Sequence, residues 1–364
     1  MKILLISNMY PSVKDKTYGT FVKCFKEGLI EYDKSIKFEE AVIKGRTNST
    51  IIKIYKYTIF YLKILFYVLF TKYDLVYVHQ ITHASPILLL LRTFKQFKLV
   101  MNIHGEDLLV KTKISAFLFH FSSLLLKKSN LIVVPSFYFK QILIEKQADI
   151  QNNKIFVSPS GGINNKIFQY TNTHQLSHKI IYISRIDRGK GWDTLLYALK
   201  DLKENKGLQV ICYFAGTGFQ IKQMKALMNK LKLNDSCIYI GPLTHQEMND
   251  YYKQVDCLIF PTQLQESLGL VGVEALSCGC PVIGSNIGCL PEYIKHNNNG
   301  FLFTPGNITE LTNCIENLYA LTPNEYTNFR LNAYSTSQIY SSYSVAKAMY
   351  KQLKMIIDSN PSQI

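Results

Sequence analysis

The sequence predicts an α/β protein of two domains, each with a parallel β-sheet covered by helices. Short apolar runs alternate with longer segments of helical periodicity, and this alternation begins a second time after a polar stretch in mid-chain. A length of 364 residues suits two domains better than one core. The chain is 47% apolar and 18% charged, which excludes a disordered protein.

The first series contains five predicted strands, at 2–7, 74–79, 98–104, 131–136 and 154–159. These runs are continuously apolar rather than alternating, which is typical of strands whose sheet is covered on both faces. Helical patterns lie between them, around 20–31, 49–71, 84–95, 113–128 and 137–146. Strands that alternate with helices predict right-handed βαβ units and therefore a parallel sheet.

The second series contains six predicted strands, at 179–184, 208–216, 237–241, 256–261, 280–285 and 300–305. Its predicted helices lie near 191–204, 219–232, 245–253, 269–278 and 307–321, and a last helical pattern covers 324–358. Ligands of such Rossmann-like sheets bind at the carboxyl ends of the strands, so we expect the two domains to face each other across a cleft.

These patterns predict a domain organisation with four parts. They are a first Rossmann-like domain at 1–165, a linker at 166–178, a second Rossmann-like domain at 179–335, and a C-terminal helix within 336–364 that packs back on the first domain.

The charge of the chain is unevenly distributed. Residues 1–170 carry 24 basic and 11 acidic side chains, a net charge of +13, whereas residues 171–364 carry 17 and 15, a net charge of +2. Such an excess suits an anionic partner. A nucleic-acid-binding protein without enzymatic activity is one alternative, but the basic residues are interleaved with aliphatic ones and no nucleic-acid-binding module is recognisable. We therefore expect no nucleic-acid partner.

The eight cysteines do not form the spacing of a disulfide framework. Cys278 and Cys280 are close in sequence, but no second pair or nearby histidine completes a zinc site. The amino terminus has no apolar run long enough for a signal peptide. We expect a cytoplasmic protein with reduced thiols.

Residues 51–71 are apolar and aromatic, but Lys53, Lys56 and Lys63 interrupt them, which argues against a membrane-spanning helix. An amphipathic helix is predicted instead. Two interpretations remain for its apolar surface: it packs on the sheet, or part of it contacts an anionic membrane. In the second case the protein is peripheral on the inner face of the plasma membrane.

The segment QESLGLVGVEALSCGCPVIGS provides the strongest candidate site. Glu266 precedes a predicted helix and Glu274 lies within it, while the amides of Leu268, Gly269 and Leu270 lie at the helix start. Unpaired amides at the positive end of a helix dipole form an anion site. A phosphate between two carboxylates suits a nucleotide sugar, although this spacing taken alone is better explained by a capped helix with one surface glutamate.

A second segment, SRIDRGKGW, places Arg185 and Lys190 directly after a predicted strand. A bidentate guanidinium and a point-charge ammonium beside a helix start are suited to a diphosphate. AGTG, which contains Gly216, is a further glycine-rich turn after a strand.

Together with SNMYPSVKDKTYGTFV, HGED, PSGGI, GCLPEYI and NGFLFTPGN, these segments resemble the GT-B glycosyltransferases. The resemblance covers nearly the whole chain and is closest to family GT4, the large retaining family of bacterial surface-polysaccharide enzymes. It implies a transferase that moves a hexose or N-acetylhexosamine from a nucleotide-diphosphate sugar, with a UDP-sugar favoured, to a glycan or polyprenyl-diphosphate-linked acceptor. It also implies that no metal or other cofactor is needed.

The resemblance also implies roles for single residues. Glu274 is expected to bind the ribose and Glu266 the donor sugar, and the amides of Leu268–Leu270 are expected to bind the diphosphate. Arg185 and Lys190 are expected to neutralise the diphosphate as it leaves. The first domain is expected to bind the acceptor and the second the nucleotide sugar. His104 is expected to be catalytic and to face the donor sugar and the acceptor, Gly19 to approach the phosphates or the acceptor, and Gly216 to bind the donor. His104 has a second interpretation as a core histidine at a strand end. Another GT-B chemistry, such as a sugar-nucleotide epimerase or an inverting transferase, is the functional alternative.

Overall fold

The computed structural model describes residues 1–15, 18–108, 113–171 and 175–359 of the chain. The chain divides into two compact units. Met1–Gly162 and Ser342–Ile364 form the first unit, and Ile163–Ser341 form the second. Part of the predicted linker at 166–178 is packed into the second unit, because Phe168 is 2% exposed and contacts the rings of His245 and Tyr252.

The first unit contains a six-stranded, fully parallel sheet in the order β2-β1-β3-β4-β5-β6. Its strands are β1 (Lys2–Tyr10), β2 (Lys37–Lys44), β3 (Leu75–His79), β4 (Leu99–Asn102), β5 (Leu131–Val134) and β6 (Ile155–Val157). The sequence predicts five of these strands and misses β2. This strand lies at the edge of the sheet, and only Ala41 and Ile43 of its residues are buried, so it lacks a continuous apolar run.

Six helices of the first unit connect these strands or follow them. They are α1 (Thr20–Tyr32), α2 (Thr50–Phe70), α3 (Ile81–Phe94), α4 (Gly105–Leu108), α5 (Lys113–Lys127) and α6 (Phe137–Lys146). Helix α2 begins with Ser49 as its N-cap and buries only a narrow stripe, formed by Phe60, Ile64 and Val68. No helix in the described part of the chain is long and apolar enough to cross a membrane.

The second unit contains another fully parallel six-stranded sheet, in the order β12-β11-β10-β7-β8-β9. Its strands are β7 (Lys179–Ile183), β8 (Ile211–Ala215), β9 (Cys237–Gly241), β10 (Cys257–Phe260), β11 (Val282–Ser285) and β12 (Gly300–Phe303). All six are predicted from sequence. Its helices are α7 (Trp192–Asn205), α8 (Ile221–Lys230), α9 (His245–Tyr252), α10 (Leu270–Ser277), α11 (Leu290–Tyr293), α12 (Ile308–Tyr319) and α13 (Pro323–Ser337).

The helical pattern at 324–358 forms two helices rather than one. A short 3₁₀ turn at Gln338–Tyr340 separates α13 from α14 (Ser342–Asp358). Helix α14 belongs to the first unit, where Ala346, Met349 and Leu353 join the core beneath the sheet.

The strand order reverses once in each sheet. The reversal lies between β1 and β3 in the first unit and between β7 and β10 in the second. The helices that follow the two strands at such a point lie on opposite faces of the sheet, so the loops diverge and open a crevice. Each unit therefore has one crevice at the carboxyl ends of its strands.

Gly191 allows two loops to pack closely at the base of the second crevice. It precedes α7 with φ at 72°, and a Cβ atom there would lie 1.8 Å from the carbonyl oxygen of Pro261, which follows β10. Only glycine allows the loop after β7 to approach the loop after β10 this closely.

We expect Gly191→Ala to destabilise the protein by about 3 kcal/mol or more, because the new methyl group must displace backbone. Gly207→Ala is the matched control, since Gly207 has φ at 65° but no atom within 4 Å of the added Cβ. It should cost about 1 kcal/mol. Urea unfolding of both variants measures the difference, and equal losses would contradict the close approach at Gly191.

Candidate active site

The crevice of the second unit contains the charged residues that the sequence analysis selects. Arg185 and Lys190 lie in the loop after β7, and Glu266 lies in the loop after β10. Because β7 and β10 are neighbours at the reversal of strand order, their loops meet at the carboxyl edge of the sheet. Residues 76 positions apart in sequence are therefore in direct contact.

Lys190 and Glu266 form a partly buried ion pair. The Lys190 Nζ donates to Glu266 Oε1 at 2.6 Å, and the side chains are 11% and 18% exposed. The hydroxyl of Thr262, which is fully buried, donates to the same oxygen at 2.9 Å. Charge-assisted bonds in a poorly solvated site are strong and directional. The pair thus fixes the carboxylate and the ammonium in one orientation at the floor of the crevice.

Arg185 differs from Lys190 in its surroundings. Its side chain is 69% exposed, and its Nη1 lies 3.4 Å from Asp187 Oδ2, so its guanidinium is mostly solvated. The buried Tyr182 hydroxyl lies 3.3 Å from the carbonyl of Arg185 and 3.2 Å from that of Lys190. Tyr182 therefore anchors both ends of the loop while the Arg185 side chain extends from it.

Gly216 belongs to the turn after β8, which packs against the loop that carries Arg185. A Cβ atom at Gly216 would lie 1.9 Å from the carbonyl oxygen of Ser184, and Ile186 N donates to Thr217 O at 2.7 Å. Backbone packing between two loops accounts for a glycine at this position. A donor-binding role for Gly216 stays a prediction.

Helix α10 begins at the same edge of the sheet. Gly269 is its N-cap, with Leu268 before it and Leu270 as its first residue, so the predicted amides lie at the positive end of the helix dipole. The Tyr293 hydroxyl donates to Gly269 O at 3.3 Å and fixes this end of the helix.

Glu274 lies one turn into α10 and is 7% exposed. Among the residues that the structure describes, no donor hydrogen-bonds to its carboxylate. Burial raises the pKa of Glu274 to about 7, because a charged carboxylate is poorly solvated there. An unpaired buried carboxyl group costs stability and is typical of a group that awaits a ligand.

The loop after β11 completes the second crevice. A Cβ atom at Gly288 would lie 3.1 Å from Glu266 N and 3.2 Å from Glu266 O, so this loop packs on the backbone that carries the glutamate. The sequence analysis includes this loop, GCLPEYI, among the segments of the resemblance but assigns it no role. It misses Thr262, although a polar residue directly after the apolar run DCLIFP was the available signal.

The first unit places His104 just after β4. Its Nε2 lies 3.1 Å from Nδ1 of His79, and Phe21 packs on its ring at 4.3 Å between ring centroids. Burial lowers the pKa of His104 to about 3, so the ring is neutral near pH 7. The side chain is half-buried, whereas that of His79 is 1% exposed. His104 thus packs against core residues and retains an accessible surface, and its role in the site stays a prediction.

Asp107 positions His104 through its backbone. Its Oδ2 accepts from His104 N at 2.8 Å, and its Oδ1 accepts from the Thr82 hydroxyl at 2.8 Å. The sequence analysis missed Asp107, because an acidic residue after HGE has no spacing partner in the linear sequence. Gly19, the N-cap of α1, lies against the backbone of Met9 at the end of β1.

Comparison with known proteins identifies the second unit. Residues 164–336 match the family described as Glycosyl transferases group 1. This range covers nearly the whole second unit. Its ion pair, its helix start and Glu274 all lie within the matched range, and the resemblance to glycosyltransferases is confirmed.

Curated relatives match parts of this chain. D-inositol 3-phosphate glycosyltransferase of Xylanimonas cellulosilytica is 30% identical over 123 residues, which are 34% of this chain and 29% of the relative. A 41.2 kDa protein of the cps region of Klebsiella pneumoniae is 26% identical over 248 residues, covering 64% of this chain and 66% of the relative. Lipopolysaccharide 1,2-N-acetylglucosaminetransferase of Salmonella typhimurium is 26% identical over 245 residues, covering 62% of each. The chain thus spans 29% to 66% of these relatives.

Solved structures extend the likeness to nearly the whole chain. Sucrose-phosphate synthase from Thermosynechococcus elongatus has a TM-score of 0.78 at 18% identity, covering 99% of this chain and all of the other. The Anabaena protein HepE in complex with UDP has a TM-score of 0.75 at 19% identity, covering 98% and 100%. At such identities the likeness concerns the fold, and the predicted GT-B fold of two Rossmann-like domains is confirmed.

Proposed function

We propose that this chain is a retaining, metal-independent glycosyltransferase. It transfers a hexose or N-acetylhexosamine from a nucleotide-diphosphate sugar to a glycan or lipid-linked acceptor during synthesis of a cell-surface polysaccharide. The Lys190–Glu266 pair beside the start of α10 carries this proposal, because it gathers a cation, helix amides and a carboxylate at one point. The capsule-region and lipopolysaccharide relatives support the acceptor class, and the UDP complex of HepE supports a UDP-sugar.

The donor is assigned to the second crevice by charge. The diphosphate lies at the amides of Leu268–Leu270, with Lys190 and Arg185 as counter-charges. The Glu274 carboxylate accepts from the ribose hydroxyls and thereby gains the partners that it lacks. Glu266 keeps one oxygen on Lys190 and Thr262 and uses the other for a hydroxyl of the donor sugar.

The proposed reaction breaks the bond between the anomeric carbon and the diphosphate oxygen. The electron pair leaves with the nucleotide diphosphate, and the acceptor oxygen bonds to the anomeric carbon from the same face. The acceptor proton passes to an oxygen of the leaving diphosphate. Negative charge grows on that group in the transition state, so fixed cations and amides stabilise the transition state more than the ground state. The chain's own groups supply this stabilisation, which is why we propose that no metal is needed.

Lys190→Ala or Glu266→Ala should lower kcat by about 10²- to 10³-fold, the scale for loss of one transition-state contact. Sugar transfer from UDP-sugars, followed as UDP release, provides the measurement. Lys200→Ala is the control, because Lys200 is an exposed lysine on α7 that pairs with Glu204. Its turnover should equal that of the wild type.

Unchanged turnover in Lys190→Ala and Glu266→Ala would refute the role of the pair.

The same assay with a chelator tests the metal-free mechanism. Turnover that disappears with the chelator and returns with Mn²⁺ would contradict this part of the proposal.

Affinity for a UDP-sugar should rise severalfold between about pH 6 and about pH 8. A hydroxyl bonds more strongly to an ionised carboxylate, and the Glu274 carboxyl loses its proton in this range because burial raises its pKa to about 7. Tyr252 beside it stays neutral, since burial keeps its pKa well above the usual value.

Isothermal titration calorimetry measures this pH dependence. Glu274→Gln should bind more weakly and lose the pH dependence, whereas the exposed control Glu316→Gln should behave as the wild type. A wild-type affinity that is flat across this range would exclude Glu274 from the donor site.

We further propose that α2 contacts an anionic membrane. Nine large apolar or aromatic side chains of this helix are exposed over its whole length, and Lys53, Lys56 and Lys63 lie among them. The nine are Ile51, Ile52, Ile54, Tyr55, Ile59, Leu62, Leu65, Phe66 and Phe70. A helix with apolar and basic groups but no acidic ones is typical of insertion among anionic headgroups.

The wild type should float with phosphatidylglycerol vesicles but not with phosphatidylcholine vesicles. Each lysine near the surface contributes about 1 kcal/mol to such binding. A Leu62→Ser, Phe66→Ser double variant should not float, whereas Leu331→Ser, which removes an exposed leucine of the second unit, should float as the wild type does. Absence of flotation with either vesicle, or flotation that is equal for both, would contradict the proposal.

A further inference from the structure

The crevice of the first unit contains a cavity of about 450 Å³. It lies at the ends of β1 and β3, where the strand order of this sheet reverses. This is the position at which doubly wound sheets bind their ligands. Ligand pockets begin at about 300 Å³, so the volume admits a small polar molecule such as a hexose that carries a phosphate. Six of the residues that line it carry the argument: Asn8, Arg46, Lys53, Lys56, Thr82 and Asp107.

Three cations line one side of the cavity, on the segment that leads from β2 into α2. Arg46 is paired with Asp15 at 3.0 Å, and Lys56 Nζ donates to the carbonyls of Lys44 and Gly45 at 2.8 and 2.9 Å. Lys53 forms no ion pair with any described residue. The N-terminus of α2 adds the positive end of a 21-residue helix at this wall. Two of the cations are thus held in place by the chain, and the third lacks a counter-ion.

The only carboxylate lining the cavity among the described residues does not neutralise these cations. Asp107 is occupied by the backbone amide of His104 and by the hydroxyl of Thr82. Burial raises the pKa of Asp107 to about 6, so the carboxyl group is still mostly ionised near pH 7. Three cations outnumber this carboxylate and Asp15, which pairs with Arg46, so the wall keeps an excess of positive charge that favours an anionic ligand.

A second observation points to a ligand that also donates hydrogen bonds. Asn8, at the end of β1, lines the cavity and is 8% exposed, and its Oδ1 is buried without a hydrogen-bond partner among the described residues. A buried acceptor without a donor costs free energy, and a hydroxyl group would satisfy it. A simple anion offers no such donor, whereas a phosphorylated sugar offers both the negative charge and the hydroxyl.

We propose that this cavity binds a phosphorylated sugar, with the phosphate at Lys53, Arg46 and Lys56 and a hydroxyl at Asn8. The inference rests on the proposed function, because it makes this molecule the acceptor of the transferred sugar. It narrows the acceptor from a glycan or lipid-linked molecule in general to one that carries a phosphate or diphosphate close to the accepting sugar. The phosphorylated sugar is either free in solution or the headgroup of a lipid.

Calorimetry on the full chain with saturating UDP tests the cavity while the donor site is occupied. The probes are the 1-phosphates of glucose, galactose, mannose and N-acetylglucosamine, the four parent sugars, and inorganic phosphate. At least one sugar phosphate should bind about tenfold or more tightly than its parent sugar and than inorganic phosphate. Its affinity should also fall as salt is raised. Parent sugars that bind as tightly as their phosphates, or no binding by any probe, would overturn the proposal.

Variants assign the binding to this cavity. Lys53→Gln should lower the affinity for the sugar phosphate about tenfold, and Asn8→Ala should lower it about fivefold. Lys63→Gln is the control and should leave the affinity unchanged, because Lys63 is exposed on the same helix and does not line the cavity. Lys53 is exposed, so its substitution preserves the fold, and thermal unfolding checks Asn8→Ala. Equal affinities in Lys53→Gln and the wild type would also overturn the proposal.

A farnesyl-diphosphate-linked sugar separates the two sources of the phosphate. Tighter binding of the lipid-linked form than of the free sugar phosphate identifies a lipid headgroup, and equal binding identifies a free sugar phosphate. Both results support binding in the cavity.

Titration of the same protein with UDP-sugars distinguishes failure of the cavity proposal from failure of the proposed function. If UDP-sugars bind through Glu274 and no sugar phosphate binds, the cavity proposal alone fails. If UDP-sugars do not bind either, the proposed function fails as well.

Discussion

The parallel direction of all twelve strands is the constraint on which the rest of the molecule depends. Parallel sheets need a crossover after every strand, so the apolar cores must be covered on both faces and polar chemistry is driven to the strand ends. The reversal of strand order then opens one crevice in each sheet. The crevice of the second unit contains Lys190 and Glu266. That of the first unit contains Asn8 and the cations around the start of α2.

The two crevices differ in how their charged and polar groups are paired. In the second crevice Lys190 and Glu266 compensate each other, whereas Glu274 has no hydrogen-bond partner among the described residues. The first unit leaves a cationic wall beside an acceptor oxygen that lacks a donor. A buried charged or polar group with a partner costs less free energy than one without. An unpaired group lowers the stability of the protein until a ligand binds. Each unit thus contains a buried polar group that lowers stability in the absence of ligand, Glu274 in the second unit and Asn8 in the first.

Much of this organisation is predictable from sequence, and the exceptions have physical reasons. Eleven strands are continuous apolar runs, which is a strong local signal, but β2 is a half-exposed edge strand and lacks it. Arg185, Lys190, Glu266 and Glu274 are found because they follow core strands or start a helix. Their pairing is not predictable, since the contact between Lys190 and Glu266 depends on which strands become neighbours. Thr262, Asp107 and Asn8 are missed for the same reason, because a single polar residue acquires meaning only from its spatial partners.

The discontinuity of the first unit has a consequence for biosynthesis. Helix α14 supplies Ala346, Met349 and Leu353 to a core that also contains Ile3 and Leu5, so residues from opposite ends of the described chain share one apolar cluster. A ribosome releases the N-terminal sheet long before it has made this helix, and the intervening unit must be synthesised first. During that interval the face of the sheet that α14 covers is exposed to water and to chaperones. Helix α14 therefore completes the core of the first unit late, and this unit finishes folding only after the second has left the ribosome.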